Sequence, residues 1–435
     1  MKDLLLRDVR LIDPIAKVDR QSCDVVISNG LVVEIGEGLS PPPGGVVMDR
    51  PGTVVAPAFL DLHCHLREPG QAWKERIVSA TAAAAAGGFG AVCAMANLQP
   101  PMDTPQRLRR CESKTRALAR VPVFQFAAAT ADLAGQKVVD VESMVRAGAV
   151  GFSDDGRNCC DQATLTQLIA KAGSASRMVA IHPEDERVLA AANPDSEDDP
   201  SAWFMRPAEA EVAAVETAIG ALRAATLGSL HLQHLSTARS AELLRQAKRD
   251  GLRVTAEVTP HHLMLSAADT AGTGLTCNPP LRGEEDRIAL WEALLDGTID
   301  AIASDHAPHE APSDPRQRRS PGFSGIQSVL SVVLGQGSAQ AHLPRLLEAL
   351  TAGPLAVLGQ AAEGLPTREI AVGQPAHLTW FDPARSWSPD TTSWLSLGAN
   401  TPYWGQRLRG VVLGTFVRGR SAYLSRSVAP EIGIV

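Results

Sequence analysis

VVAPAFLDLHCHLREPG, residues 54–70, runs an apolar stretch into two histidines one residue apart and then an arginine. Successive side chains of a strand point to opposite faces, so His63 and His65 would share one face while Leu62, Cys64 and Leu66 share the other. Two imidazoles on one face at a strand end suggest a metal. The same spacing also occurs as plain polarity on an edge strand, so the rest of the chain has to decide.

Outward from this stretch the pattern repeats. The runs VVAPAFLDLHCH, FGAVCAM, VPVFQFA, AVGFSD, MVAIH, LHLQH, RVTAEV and DAIASD alternate with Ala/Leu/Glu/Arg-rich stretches of helical period, which is the pattern of repeated βα units on a parallel sheet. Eight such units predict an α/β fold, a TIM-like (β/α)8 barrel over residues 55–365, whose chemistry sits at the C-terminal ends of its strands. Polar residues do close the runs: His63 and His65, Asp154 and Asp155, His182, His234, and Asp305. The flanks, residues 1–54 and 366–435, carry short alternating strands with Gly and Pro turns, and are expected to form one small β-sandwich domain built from both termini.

Composition narrows the function. A formal net charge of −7 offers no broad attraction for nucleic acid or an anionic membrane, so a small-molecule substrate is expected. The opening MKDLLLRDVRLIDP lacks the features of a signal peptide, and no apolar run reaches about 18 residues. Seven scattered cysteines without a C-x-x-C pair indicate neither a disulfide framework nor a zinc ribbon. A cytoplasmic protein is expected, with Cys159 and Cys160 inert and the acidic stretch 194–200 a solvated loop.

Metal sites that hydrolyse amides need neutral imidazoles and carboxylates, with a position left open for water. His63, His65, His182, His234, Asp155 and Asp305 supply such a set, enough for two zinc ions bridged by Asp155. His231 lies three residues before His234 and points to the other face of a regular strand, so it is read as structural. His261 and His262 follow a proline and suit supporting roles, while His342 and His377 lie outside the barrel strands. In ASDHAPHE, residues 303–310, Asp305 is placed to bind a metal weakly and accept a proton. His306 is either part of the site or a packed neighbour, the latter leaving His309 to face the substrate. Arg67, Asn97 and Asn278 fall near the expected mouth, where an arginine fork suits a carboxylate; each is also compatible with an ordinary surface position.

These motifs together resemble dihydroorotase, of the longer class I bacterial type, within the amidohydrolase superfamily. The carriers are DLHCHLREPG (61–70), AGGFGAVCAMANLQPPMDTP (86–105), GFSDDG (151–156), IHPEDE (181–186), HLQHLST (231–237), EVTPHHL (257–263), NPPLR (278–282), ASDHAPH (303–309) and PGFSGIQ (321–327). The resemblance implies that His63, His65 and Asp305 hold one zinc and His182 and His234 the other, with Asp155 bridging. It implies that Arg67, Asn97 and His309 hold the substrate carboxylate, and that Asn278 with the backbone around Pro321 and Gly322 contacts the ring. The implied reaction is the reversible interconversion of N-carbamoyl-L-aspartate and L-dihydroorotate in de novo pyrimidine synthesis, with Asp305 relaying the proton. A homo-oligomer, and association with aspartate transcarbamoylase, are further implications.

Two departures stand out. MPNT of close relatives is replaced by Met95, Ala96, Asn97 and Leu98, and His377 takes the aspartate place of G-x-x-A-D-L, expected to matter only in the β domain. Hydantoinases and allantoinases typically bridge their metals with a carboxylated lysine, which GFSDDG does not offer. A noncatalytic dihydroorotase-like partner of aspartate transcarbamoylase is the other alternative, but such chains have typically lost ligands that are all kept here. The loop 310–320, rich in Pro, Ser and Arg, is expected to be mobile.

Overall fold

The computed structural model describes residues 2–157, 161–192, 206–310 and 320–432. Cys159, Cys160, the stretch 194–200 and most of the 310–320 loop lie outside the described residues. Sixteen strands are present among those described. The first five are β1 (Leu4–Asp13), β2 (Val18–Ser28), β3 (Leu31–Gly36), β4 (Val46–Asp49) and β5 (Val54–Pro57). The next eight are β6 (Phe59–Cys64), β7 (Phe89–Ala94), β8 (Val123–Gln125), β9 (Gly151–Phe152), β10 (Met178–Ile181), β11 (Leu230–Leu232), β12 (Val254–Val258) and β13 (Ala301–Ile302). The chain ends with β14 (Leu378–Trp387), β15 (Leu408–Val417) and β16 (Arg420–Leu424).

β6 to β13 correspond to the eight apolar runs and pair in parallel, β6-β7-β8 in one sheet and β9 to β13 in another. Two parallel bridges join the sheets, Ala127 to Phe152 and Cys64 to His306, and His65 N donates to His306 O at 2.9 Å. Helices such as Ile77–Ala86, Pro105–Leu118, Gln162–Ser174, Ala208–Ala224, Ala238–Arg249 and Glu284–Leu295 follow the strands. Their starts are written locally: the side chains of Thr104, Asp161 and Thr237 accept from backbone N–H groups three residues on, satisfying otherwise orphaned donors. Leu60 and Leu62 pack with Ala91, Cys93, Met95 and Phe126, leaving Asp61 and His63 on the opposite face of β6, as alternation requires.

The remaining strands form one sheet from both ends of the chain, in the order β16-β15-β14-β5-β1-β2-β3, with β4 on β1. β14 runs antiparallel to β5, from Leu378 opposite Pro57 to Phe381 opposite Val54. Leu4, Leu6, Val25 and Ile27 share a core with Trp380 and Phe416, and Trp380 Nε1 donates to Thr53 Oγ1 at 2.9 Å. The start of β3 turns back on the approach to β14, with Val32 N donating to Gln374 O at 2.9 Å.

Two expectations change here. The run 54–65, read as one strand, is two: β5 ends at Pro57, Ala58 lies between, and β6 begins at Phe59. The boundary expected after residue 54 therefore falls inside β5. His377 is not confined to the β domain. It is buried just before β14, and a Cβ on Gly90 of β7 would stand 2.6 Å from its Nε2, so this glycine is what lets the imidazole lie against a strand of the parallel sheet. Among the described residues no helix is long and apolar enough to cross a membrane.

Candidate metal centre and substrate mouth

His63, His65, Asp155, His182, His234 and Asp305 all lie in one buried cluster at strand ends. Asp155 is central: its Oδ1 is 3.4 Å from His63 Nε2, 3.6 Å from His234 Nε2 and 3.8 Å from His182 Nδ1, and its Oδ2 is 3.4 Å from His65 Nε2. Asp305 Oδ1 is 3.2 Å from His65 Nε2 and 3.5 Å from His63 Nε2. His182 Nδ1 and His234 Nε2 are 3.0 Å apart. His63, His65 and Asp305, and likewise His63, Asp155 and His234, offer ligand atoms all within 4.8 Å of one another.

The donor set fits divalent metal ions. His63 Nε2 and Asp155 Oδ1, which face each other across the cluster, are buried without a hydrogen-bond partner, a cost that bound cations would remove. Imidazoles with carboxylates are the donors zinc takes in hydrolytic sites. Charge tells the same story. Burial opposes a charge on His63, yet Asp155, Asp305 and Glu257 outweigh it and hold the imidazole well above its ordinary pKa. Burial likewise works against ionised Asp155, but His63 and His234 keep it well below the usual carboxylate range. Asp305 is lowered in the same way, against its burial, by His63 and His65. A cluster that draws a proton onto a buried histidine carries negative charge that a cation can take up.

The cluster is held from behind. Glu257 Oε1 lies 2.7 Å from His63 Nδ1 and its Oε2 lies 3.1 Å from His231 Nε2. His231 is therefore structural, as expected, yet it reaches the centre through Glu257. Burial would raise the Glu257 carboxyl, but His63 and His231 bring it down to about 2. Behind His182, Glu184 Oε2 is 2.9 Å from Nε2, and Arg206 grips Glu184 with Nε and Nη2 at 3.0 and 2.9 Å. Asp154, the other aspartate of the pair, turns away to accept from Ala129 N at 2.8 Å and Thr130 N at 3.1 Å. Glu257→Gln, which removes the charge but keeps the shape, is expected to weaken metal retention by about 10–100-fold in chelator competition. Unchanged retention would show that Glu257 does not orient His63.

His234 and Asp305 sit at φ +31 and +39, and Arg67 at +58. Such values are uncommon for residues with a Cβ, and three of them within one cluster mark a site that the surrounding fold holds in place. After His234, buried Glu211 accepts from Ser236 N at 3.0 Å and from Thr237 N at 3.0 Å, which fixes the turn.

Beside the His/Asp cluster lies a cationic mouth. Arg67 is half-buried; its Nε donates to Pro308 O at 3.3 Å and its Nη2 faces His309 Nε2 at 3.3 Å. Burial pulls the guanidinium down to about 10, against Asp305 and Asp155. On the other side of His309, Lys74 Nζ approaches Nδ1 at 3.2 Å. Burial, then Arg67 and Lys74, push His309 down to about 3, so it is neutral. Asn97 ties mouth to centre: its Oδ1 is 2.9 Å from His65 Nδ1, and its Nδ2 donates to Asp155 O at 3.2 Å.

Asn278, Pro321 and Gly322 share one neighbourhood rather than direct contact with the ligands. Asn278 Oδ1 is buried without a partner, and Gly322 N donates to Thr276 O at 2.8 Å. Gly322 has φ +127, and a Cβ there would stand 2.6 Å from that of Ala307, so glycine is required twice over. Asn400 braces this wall: its Nδ2 donates to Gly322 O at 2.6 Å and Ala307 O at 3.0 Å, while its Oδ1 accepts from His309 N at 2.9 Å.

His306 is the packed neighbour, its Nε2 3.2 Å from Glu75 Oε2. His261, His262 and Cys277 also lie close together, but His262 is engaged by Thr259 Oγ1 at 2.8 Å and Pro279 O at 3.0 Å, which suits a structural role. Glu257, Glu184, Lys74 and Asn400 were absent from the candidates drawn from sequence. Only Glu257 left a local signal there, as a carboxylate within an apolar strand.

A family profile described as Dihydro-orotase-like matches residues 52–233. A dihydroorotase of Anaeromyxobacter dehalogenans (strain 2CP-C) is 37% identical, over 97% of this chain and 98% of its own length. One of Thermus aquaticus is 38% identical, over 96% and 98%, and one of Aquifex aeolicus (strain VF5) is 32% identical, over 97% and 100%. Among solved structures, a dihydropyrimidinase from Brevibacillus agri NCHU1002 superposes with a TM-score of 0.83 at 22% identity, covering 96% of this chain and 94% of that one. An L-hydantoinase from Arthrobacter aurescens gives 0.83 at 23%, covering 97% and 96%. These two share the fold, and the full-length sequence relatives decide the family: this chain belongs to the dihydroorotases.

Proposed function

We infer that the chain is a metal-dependent dihydroorotase of the class I bacterial type, interconverting N-carbamoyl-L-aspartate and L-dihydroorotate for pyrimidine synthesis. The observation that carries the reading is the adjacency of a six-residue His/Asp cluster to a mouth made by Arg67, Asn97 and His309. In this reading β6 to β13 close into a (β/α)8 barrel, supported by the two parallel bridges between its sheets. The terminal segments form a β-sandwich domain, supported by the return of β3 onto the approach to β14. Two zinc ions are favoured, one on His63, His65 and Asp305, the other on His182 and His234, with Asp155 between them.

Bound metal supplies Lewis acidity, polarising the ring amide carbonyl and making water nucleophilic near neutral pH. The chain's own residues do the rest. Arg67, Asn97 and His309 hold the substrate carboxylate, which orients the ring; Asn278 and the backbone at Pro321 and Gly322 bound its other edge. Asp305, ionised and within 3.5 Å of both His63 and His65, accepts the proton of the attacking water at a carboxylate oxygen. It then returns that proton to the ring nitrogen, which leaves as the carbamoyl NH2. Ring closure follows the same path backwards.

An aspartate in the bridging place speaks against the lysine-bridged hydantoinase type, and an intact donor set speaks against a noncatalytic role. The reading includes a cytoplasmic, homo-oligomeric enzyme, supported for the compartment by Cys23, Cys64, Cys93 and Cys111, which are buried free thiols. Aspartate transcarbamoylase is its proposed partner. The test is hydrolysis of L-dihydroorotate with and without zinc, beside metal content per chain. Zinc-dependent turnover supports the reading; turnover of hydantoin in its place, or a folded chain that holds no metal, overturns it.

A further inference from the structure

Lys74 stands at the substrate mouth with no role yet given to it. Its Nζ is 3.2 Å from His309 Nδ1, and among the described residues that nitrogen is the one group its side chain meets within hydrogen-bond distance. Arg67 Nη2 stands 3.3 Å from the other ring nitrogen and is anchored independently, through Nε, on Pro308 O. The backbone that carries the ring is held in turn, because Asn400 Oδ1 accepts from the His309 N–H at 2.9 Å.

This arrangement has one donor too many. A neutral imidazole offers one N–H and one lone pair, while ammonium and guanidinium groups only donate. His309 therefore accepts from one cation and turns an N–H toward the other. An anion between the ring and the guanidinium removes the conflict, since a carboxylate oxygen accepts from both N–H groups at once. Which cation the ring accepts from decides whether that N–H faces the anion.

We propose that Lys74 is a positioning residue for the substrate anion: it donates to Nδ1 of His309, keeps the ring proton on Nε2, and so aims that N–H beside Arg67 at one carboxylate. The assignment rests on the dihydroorotase reading for the identity of the anion, but not for the state of the ring. It makes the mouth a three-part clamp in which Lys74 acts through His309 without touching the ligand. Its loss is felt in binding, with little effect on the chemical step.

The experiment follows the histidine ring nitrogens by two-bond proton–nitrogen NMR on the metal-loaded full chain, with and without orotate as an unreactive anionic probe. The His309 signals are identified by difference from His309→Gln. The wild type bound to orotate is expected to show His309 as the Nε2–H form. Lys74→Met, and Lys74→Gln as a second variant should the first fold poorly, are expected to lose that preference and raise KM for L-dihydroorotate about tenfold, with kcat within about twofold. Lys74→Arg is expected to recover most of both. A wild type that turns over dihydroorotate with His309 in the Nδ1–H form, or a Lys74→Met whose tautomer and KM are unchanged, overturns the proposal alone. A wild type that neither turns over dihydroorotate nor responds to orotate overturns the underlying reading as well.

Discussion

Replacing Asp305 with alanine is expected to lower kcat for L-dihydroorotate hydrolysis by about ten-thousand-fold while leaving the chain folded. Two losses coincide. A carboxylate within 3.5 Å of both His63 and His65 disappears, taking one proposed metal ligand and the group proposed to carry the proton from water to the ring nitrogen. Folding is spared because the backbone of this segment is held elsewhere: Asp61 accepts from Ser304 N at 2.8 Å, and Ser304 Oγ donates to both Asp61 and His63 O. Asp305→Asn separates the two losses, since an amide oxygen still reaches a metal but cannot take a proton. Kinetics, metal analysis and circular dichroism on both variants check this. A fully metallated Asp305→Ala within about tenfold of wild type removes Asp305 from the chemistry.

Arg67→Met is expected to lower kcat/KM for dihydroorotate by about a hundred- to a thousandfold, mainly through KM, because a half-buried guanidinium facing a carboxylate is worth several kcal/mol when its partner is left unpaired. The thermal midpoint is expected to hold or rise, because the substitution removes a cation whose burial lowers its own pKa to about 10. Dihydrouracil, which lacks the carboxylate, provides the control: its slow hydrolysis is expected to change by less than about tenfold. Equal losses for both substrates would show that Arg67 supports the fold of the centre rather than recognising the anion.

Much of this was readable from sequence, for identifiable reasons. Polar residues closing apolar runs are a local pattern, and His63, His65, Asp155, His182, His234 and Asp305, each found that way, meet in one cluster. Strand alternation was enough to separate His231 from His234. Asp155 and Asp154 are neighbours with opposite fates, and spacing alone could not rank them; the contacts of Asp154 with Ala129 and Thr130 do. The supports stayed hidden because they depend on pairs distant in the chain: Glu257 against His63, Asn400 against His309, Lys74 against the same ring. The division of the run 54–65 was signalled by Pro57 but masked by the apolar residues on either side. His377 was misjudged because only the small size of Gly90 makes room for it.

That division also orders events during synthesis. The strand carrying His63 is directly joined to β5, yet β5 finds one of its two neighbours in β14, made long after it. Until β14 has been made, the nascent polypeptide presents β5 as an open edge of Val54, Val55 and Ala56, a template for association with other chains. β14 therefore seals this edge, and the enzyme's exposure to aggregation is set by how long that distant strand takes to be made and to return to β5.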